Sequence, residues 1–259
     1  TVGVIPANES MKMKLTMNVL IITRNFYPYN NIGSFRINSF AKYFRKAGHS
    51  VTVVAEGERD EAITWNDCDI HYIKDPIMTP KYLHNLEQKN KKWTLRRVIR
   101  ALESRIFLGG PCIWRAKTCK KVEELFQKNN FDVVLSSYGP LTPHALVMKV
   151  LKKRYKFFWI ADMRDEMSKL PYYSKIHTKR LAFYERNILE KADLVLSVSK
   201  PLIDDFKTMC SHDRFLEVRN GYDYEECYEV NFQPQFTMGY IGRFYWMATP
   251  DNFLRPFRN

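Results

Sequence analysis

Hydrophobic positions in this chain fall into short unbroken runs, separated by stretches where they recur at helical spacing. Residues 18–23 (NVLIIT) are apolar and β-branched, the pattern of a strand covered on both faces. A loop over 24–34 follows, with turn chemistry at Pro28 and in Asn30-Asn31-Ile32-Gly33-Ser34. Residues 36–47 then place Ile37, Phe40, Ala41 and Phe44 at helical spacing, and Gly48 sits where a helix-ending glycine belongs. Residues 51–54 (VTVV) make a second apolar strand. A helix between two buried strands implies a right-handed crossover and a parallel sheet. The chemistry of such sheets gathers at the carboxyl ends of the strands.

The alternation continues. After a charged loop over 56–67, residues 68–73 predict a third strand. A helix over 95–108 is stopped by Gly109-Gly110-Pro111, and a second over 113–127 turns Ile113, Ala116, Val122 and Phe126 inward. Residues 131–137 form a fourth strand, whose polar end Ser136-Ser137-Tyr138-Gly139-Pro140 opens into a helix over 143–154. His144, at the start of that helix, reads as a surface or capping residue. The fifth strand, 157–161, stops at Asp162-Met163-Arg164-Asp165-Glu166, a cluster of charge where an apolar run ends. A helix bearing Leu181, Tyr184, Ile188, Leu189 and Ala192 on one face leads to strands over 193–198 and 215–218, the last ending at Asn220-Gly221-Tyr222-Asp223.

Seven strands alternating with helices define an α/β fold, a doubly wound, Rossmann-like parallel sheet over 17–223. Residues 1–16 read as a leader or remnant outside it, and 224–235 as a linker. Residues 236–259 read as the beginning of a second Rossmann-like domain, with a strand from Phe236 and a helix near Asp251.

Composition narrows the function. A chain of 259 residues with 45% hydrophobic content can bury a full core. Five cysteines without a CxxC pair favour reduced thiols and a cytoplasmic setting. No apolar run approaches the roughly 20 residues of a membrane span. The histidines and carboxylates show no metal-ligand spacing. The net charge is +13, concentrated over 81–105, where Lys89, Lys91, Lys92, Arg96, Arg97 and Arg100 face few acids. That segment is either a solvated helical face or a contact for an anionic membrane surface. Without a binding motif or interleaved aromatics, it does not point to nucleic acid.

Five stretches carry a resemblance: the opening unit with Gly33 and KAGHSVTVV (46–54), WIADMRDE (159–166), ADLVLSVSKPLIDDF (192–206), NGYDYEE (220–226) and MGYIGRF (238–244). Together they resemble glycosyltransferases of the two-domain GT-B architecture, nearest the large retaining, family-four-like group that includes bacterial polysaccharide- and lipid-glycosylating enzymes. The resemblance implies an N-terminal domain that faces the acceptor and a C-terminal one that holds a nucleotide diphosphate sugar. It implies no cofactor and no metal. The expected partners are the nucleotide sugar and a carbohydrate or lipid-linked acceptor, met in the cytoplasm at the inner membrane face.

The resemblance implies catalytic roles for Asp165, Arg164 and Asp162, and donor or acceptor contacts from Asn31, Gly33, Ser34, Ser137, Tyr138, Gly139, Asn220 and Arg243. Two departures stand out. Many relatives carry a histidine where Arg164 falls, and the Lys-Gly that usually follows the arginine at position 243 is missing. The expected activity is hexosyl-type transfer, with little of it from this chain alone. The rival readings are a non-catalytic docking module of the same fold, for a membrane or a partner, and a GT-B-type sugar-nucleotide epimerase.

Overall fold

The structure, a computed structural model, describes residues 16–29, 32–75, 112–137, 139, 141–169, 174–221, 234–241 and 249–257. The expected helix over 95–108, the basic segment, and Asn31, Tyr138 and Arg243 lie outside them. The chain divides into two compact units, Thr1–Tyr222 and Asp223–Asn259.

The first unit is an eight-stranded sheet in the order β3-β4-β2-β1-β5-β6-β7-β8. Its strands are β1 (Asn18–Ile22), β2 (Ser50–Gly57), β3 (Glu61–Trp65), β4 (Cys68–Lys74), β5 (Val133–Ser137), β6 (Phe158–Asp162), β7 (Leu194–Ser197) and β8 (Phe215–Glu217). Every pairing is parallel except that of β3 with β4. The helices are α1 (Ile32–Lys46), α2 (Cys112–Lys128), α3 (Thr142–Leu146), α4 (Lys175–Lys191) and α5 (Lys200–Lys207). From α3 the chain continues without a break through a π-helical stretch, Val147–Leu151, and a last turn, Lys152–Arg154.

β1 shows why the sheet is buried on both faces. Leu20 and Ile22 join the core that includes Trp114, Leu146, Trp159 and Ile188, while Val19 and Ile21 join the opposite core with Ile37, Ala41 and Ile70. Alternate residues of one apolar run thus feed two separate cores. α1 ends as its sequence predicts. Gly48 takes φ +90°, its N–H bonds the Arg45 carbonyl at 2.9 Å, and the His49 N–H reaches back to the Phe44 carbonyl at 3.0 Å, the paired bonds of a Schellman cap.

Four local expectations are corrected. The charged loop over 56–67 contains β3, which folds back on β4 through Asn66 and Asp67 at φ +47° and +55°. Positive φ at both central residues is the signature of a tight hairpin turn. α1 begins at Ile32, so Gly33 and Ser34 lie in its first turn and not in a loop. α2 buries Trp114, Thr118, Val122 and Leu125, and leaves Ile113 and Ala116 exposed. Its face is set by the Trp114 indole, which donates to the Ile73 carbonyl at 3.1 Å. In the second unit, residues 236–241 form no strand; Phe236 and Ile241 stand open to solvent, and no described strand pairs with them. A strand without a neighbouring ladder leaves its N–H and C=O groups to water. A short helix, α6 (Asp251–Leu254), begins where the sequence predicts one.

Candidate active site

The chain moves outward from β1 to β2 and β4 on one side, then crosses back to place β5 on the other. Between β1 and β5 the order reverses, and such a switch point opens a crevice at the carboxyl edge. The first turn of α1 stands over it. There Ser34 is buried and its hydroxyl donates to the Tyr29 carbonyl. Gly33 is half-buried beside it, in a turn whose N–H groups have no intrahelical acceptor.

Two residues further along α1, Arg36 reaches across the edge. Its side chain is 4% exposed. Nε and Nη2 lie 3.0 and 2.9 Å from Asp162 Oδ1, and Nη1 donates to the Val218 carbonyl at 2.6 Å and to Asn220 Oδ1 at 3.3 Å. The Phe40 ring lies 4.9 Å from the guanidinium. Asp162 is fully buried, and its other oxygen accepts from Ser137 Oγ at 3.0 Å. One arginine therefore joins α1 to the ends of β6 and β8, and Asp162 carries the link on to β5 through Ser137. The linkage brings Ser137, Asp162 and Asn220 together, three residues named from the sequence. In the sequence Arg36 marks only the start of a helix. Its signal was electrostatic: a cation in the first turns of a helix opposes the macrodipole and needs an anion close by.

Beyond Asp162 the chain is pinned before it reaches the crevice. The Met163 N–H bonds the Leu196 carbonyl at 2.8 Å, and the Met163 carbonyl accepts from Ser197 Oγ at 2.9 Å. Arg164 is half-buried and Asp165 exposed. Gly139 approaches from the β5 side at φ +114°, where a Cβ would lie 2.9 Å from Arg164 Nη2. Its carbonyl accepts from Asn25 Nδ2 at 3.5 Å. Glycine is favoured at 139 by its positive φ, whereas the guanidinium end of the flexible Arg164 side chain could move aside for a Cβ.

The same loop is held from below. Glu185 of α4 is fully buried and accepts from the Met167 N–H at 2.7 Å and from the Ser168 hydroxyl. Burial raises its pKa, outweighing the hydrogen bonds that lower it. The folded state then holds this proton more tightly than the unfolded chain. Stability owed to it is present below the ordinary value of 4.5 and is lost as pH rises through the folded value. Wild-type stability, measured by urea unfolding, is expected to fall relative to Glu185→Gln as pH rises above that ordinary value. Parallel profiles would contradict this.

His144 is fully buried, contrary to the surface or capping residue expected. Its Nδ1 lies 2.7 Å from Ser136 Oγ, which also accepts from Trp159 Nε1 at 2.8 Å. The indole can only donate to Ser136, and the direction of the Ser136–His144 bond follows the tautomer of the imidazole. Burial pushes its pKa down to about 3, and the positive charge of Arg164 acts in the same direction.

Glu190, Cys210 and His212 bring candidate metal-ligand atoms within 4.8 Å of one another, at the opposite edge of the sheet. Both Glu190 oxygens accept from Ser211, and His212 bonds the Leu189 carbonyl through Nε2 and the Arg214 N–H through Nδ1. These bonds close the loop before β8. Among the described residues no helix is long and apolar enough to cross a membrane.

The doubly wound sheet, with its charged residues gathered at a switch-point crevice, has the Rossmann-like fold found in GT-B structures. The profile of Glycosyltransferase Family 4 matches residues 35–226, and the chain belongs to that family. Its fold is similar to that of sucrose-phosphate synthase from Thermosynechococcus elongatus, with 12% identity and a TM-score of 0.55 over 80% of this chain and 49% of that one. The catalytic domain of starch synthase IV from Arabidopsis thaliana, bound to ADP and acarbose, matches at 10% identity and a TM-score of 0.47, over 80% of this chain and 52% of that one. The Streptomyces sp. SF2575 glycosyltransferase SsfS6, complexed with thymidine diphosphate, matches at 15% identity and 0.40, over 73% and 51%. The chain thus spans about half the length of these three solved structures. No curated protein matches it in sequence.

Proposed function

We propose that this chain is the acceptor-side part of an enzyme that transfers a hexose-type sugar from a nucleotide diphosphate sugar to an acceptor hydroxyl, in cell-surface polysaccharide or glycolipid synthesis. The observation that carries the reading is the Arg36–Asp162 pair. It fixes the exit of β6 at the carboxyl edge, where the segment bearing Arg164 and Asp165 begins. In this reading Asp162 positions and Asp165 acts. The exposed Asp165 carboxylate accepts a hydrogen bond from a sugar hydroxyl, and Arg164 pairs with an anionic group of donor or acceptor. The α1 turn at Gly33 and Ser34 offers N–H groups to a phosphate. Most of the charge that stabilises the departing diphosphate is expected from a donor-binding domain.

No cofactor is required in this scheme; the nucleotide sugar is a substrate. The lipid-linked or carbohydrate acceptor is met at the inner membrane face, with the basic segment over 81–105 drawn to anionic lipid. The full-length gene product, incubated with labelled nucleotide sugars and a lipid-linked acceptor, is expected to give a glycosylated product. Asp165→Asn is expected to slow that transfer by about 10²–10³-fold, the cost of losing one charged contact made at the transition state. Absence of product with every common donor would overturn the reading.

A further inference from the structure

The outward face of α4 has a composition that neither the sheet nor the crevice explains. Its inward face, Leu181, Glu185, Ile188 and Leu189, is buried against the sheet and the loop after β6. On the other side Ile176 is 74% exposed and Phe183 63% exposed. They lie seven residues apart, about 10 Å along one line of the helix. At helical spacing Lys179 and Arg186 flank that line on one side, and Arg180 and Lys191 on the other; all four are exposed. The exposed acid nearest the line, Glu190, is engaged by Ser211. On the neighbouring π-helical stretch, Lys149 lies 4.4 Å from the Tyr184 ring and extends the basic border.

We infer that this face of α4 docks on a lipid bilayer containing anionic headgroups. A surface that sets large apolar side chains between rows of cations matches such a bilayer on both counts. The apolar residues enter the headgroup boundary while the cations meet the charge above it. A polyanion such as nucleic acid would satisfy the cations and leave Ile176 without a partner. The placement has a use. α4 follows the loop that carries Arg164 and Asp165, so its N-terminal end lies at the carboxyl edge of the sheet, and docking there brings the crevice close to an acceptor held in the membrane. The surface is independent of the transfer reaction, since adsorption needs neither donor nor acceptor.

The test is co-sedimentation of this chain with vesicles of phosphatidylcholine alone or of phosphatidylcholine mixed with phosphatidylglycerol. Binding is expected only to the mixed vesicles. The Lys179→Gln/Arg180→Gln/Arg186→Gln variant is expected to lose about 100-fold in partition, about fivefold per charge. Ile176→Ser/Phe183→Ser is expected to lose binding with every charge retained, which separates bilayer insertion from attraction to any polyanion. Every substituted side chain is exposed, so circular dichroism and the melting temperature should be unchanged. Unchanged binding of the serine variant would overturn the inference. So would loss confined to Lys91→Gln/Lys92→Gln/Arg96→Gln/Arg97→Gln. Failure of transfer with binding intact would count against the proposed reaction and leave this surface standing.

Discussion

Arg36→Met is expected to destabilise the protein by about 3–5 kcal/mol, because it strands the buried Asp162 carboxylate without its cation. The loss should be read by guanidinium unfolding at neutral pH. Asp162→Asn is expected to be costly too, since the guanidinium then keeps only neutral acceptors, the Val218 carbonyl and the Asn220 amide among them. The double variant Arg36→Met/Asp162→Leu tests the pair as a pair. Its cost is expected to fall short of the sum of the two singles by on the order of 3 kcal/mol. Strict additivity would mean that the two side chains do not depend on each other. Transfer by the full-length protein is expected to drop in each single variant, because the loop bearing Arg164 and Asp165 begins at Asp162.

The second large effect concerns acid. The His144 imidazole has an ordinary pKa of 6.5 and one of about 3 in the folded protein, so between those values the unfolded chain binds a proton that the folded chain rejects. Stability is therefore expected to fall as pH drops through that window, by about 1.4 kcal/mol per pH unit from this one residue. His144→Gln removes the titrating group, and the difference between its pH profile and that of the wild type isolates the contribution. Urea midpoints recorded from pH 7 downward supply the measurement. Two profiles of equal slope would show that the imidazole is hydrated, or that it charges without cost. Only the direction of this effect distinguishes it from Glu185, whose stabilisation is lost as pH rises.

The parallel sheet was legible because its strands are covered on both faces and read as unbroken apolar runs. VVLSS at β5 and LVLS at β7 are examples, each followed by helical spacing. β3 was hidden for the opposite reason. It is an edge strand with largely exposed residues, so charge masked its alternation, although Asn66-Asp67 signalled the turn. The helix face of α2 was misjudged because apolar spacing alone counts Ile113 and Ala116, whereas the indole N–H of Trp114 needs a buried acceptor and sets the rotation. Gly33, Ser34, Ser137, Asp162, Arg164 and Asp165 could be placed near one edge from topology alone. Their wiring could not. The partner of Asp162 lies 126 residues earlier in sequence, and no periodicity or spacing encodes a contact of that kind.

The shared guanidinium has a consequence for how this protein can vary over generations. A residue that pairs with a buried carboxylate at one strand end and with the chain leaving another cannot drift alone: exchange of the arginine is tolerable only alongside an exchange at position 162. These positions should therefore be inherited as a set, and descendants that depart from it should do so by linked replacement.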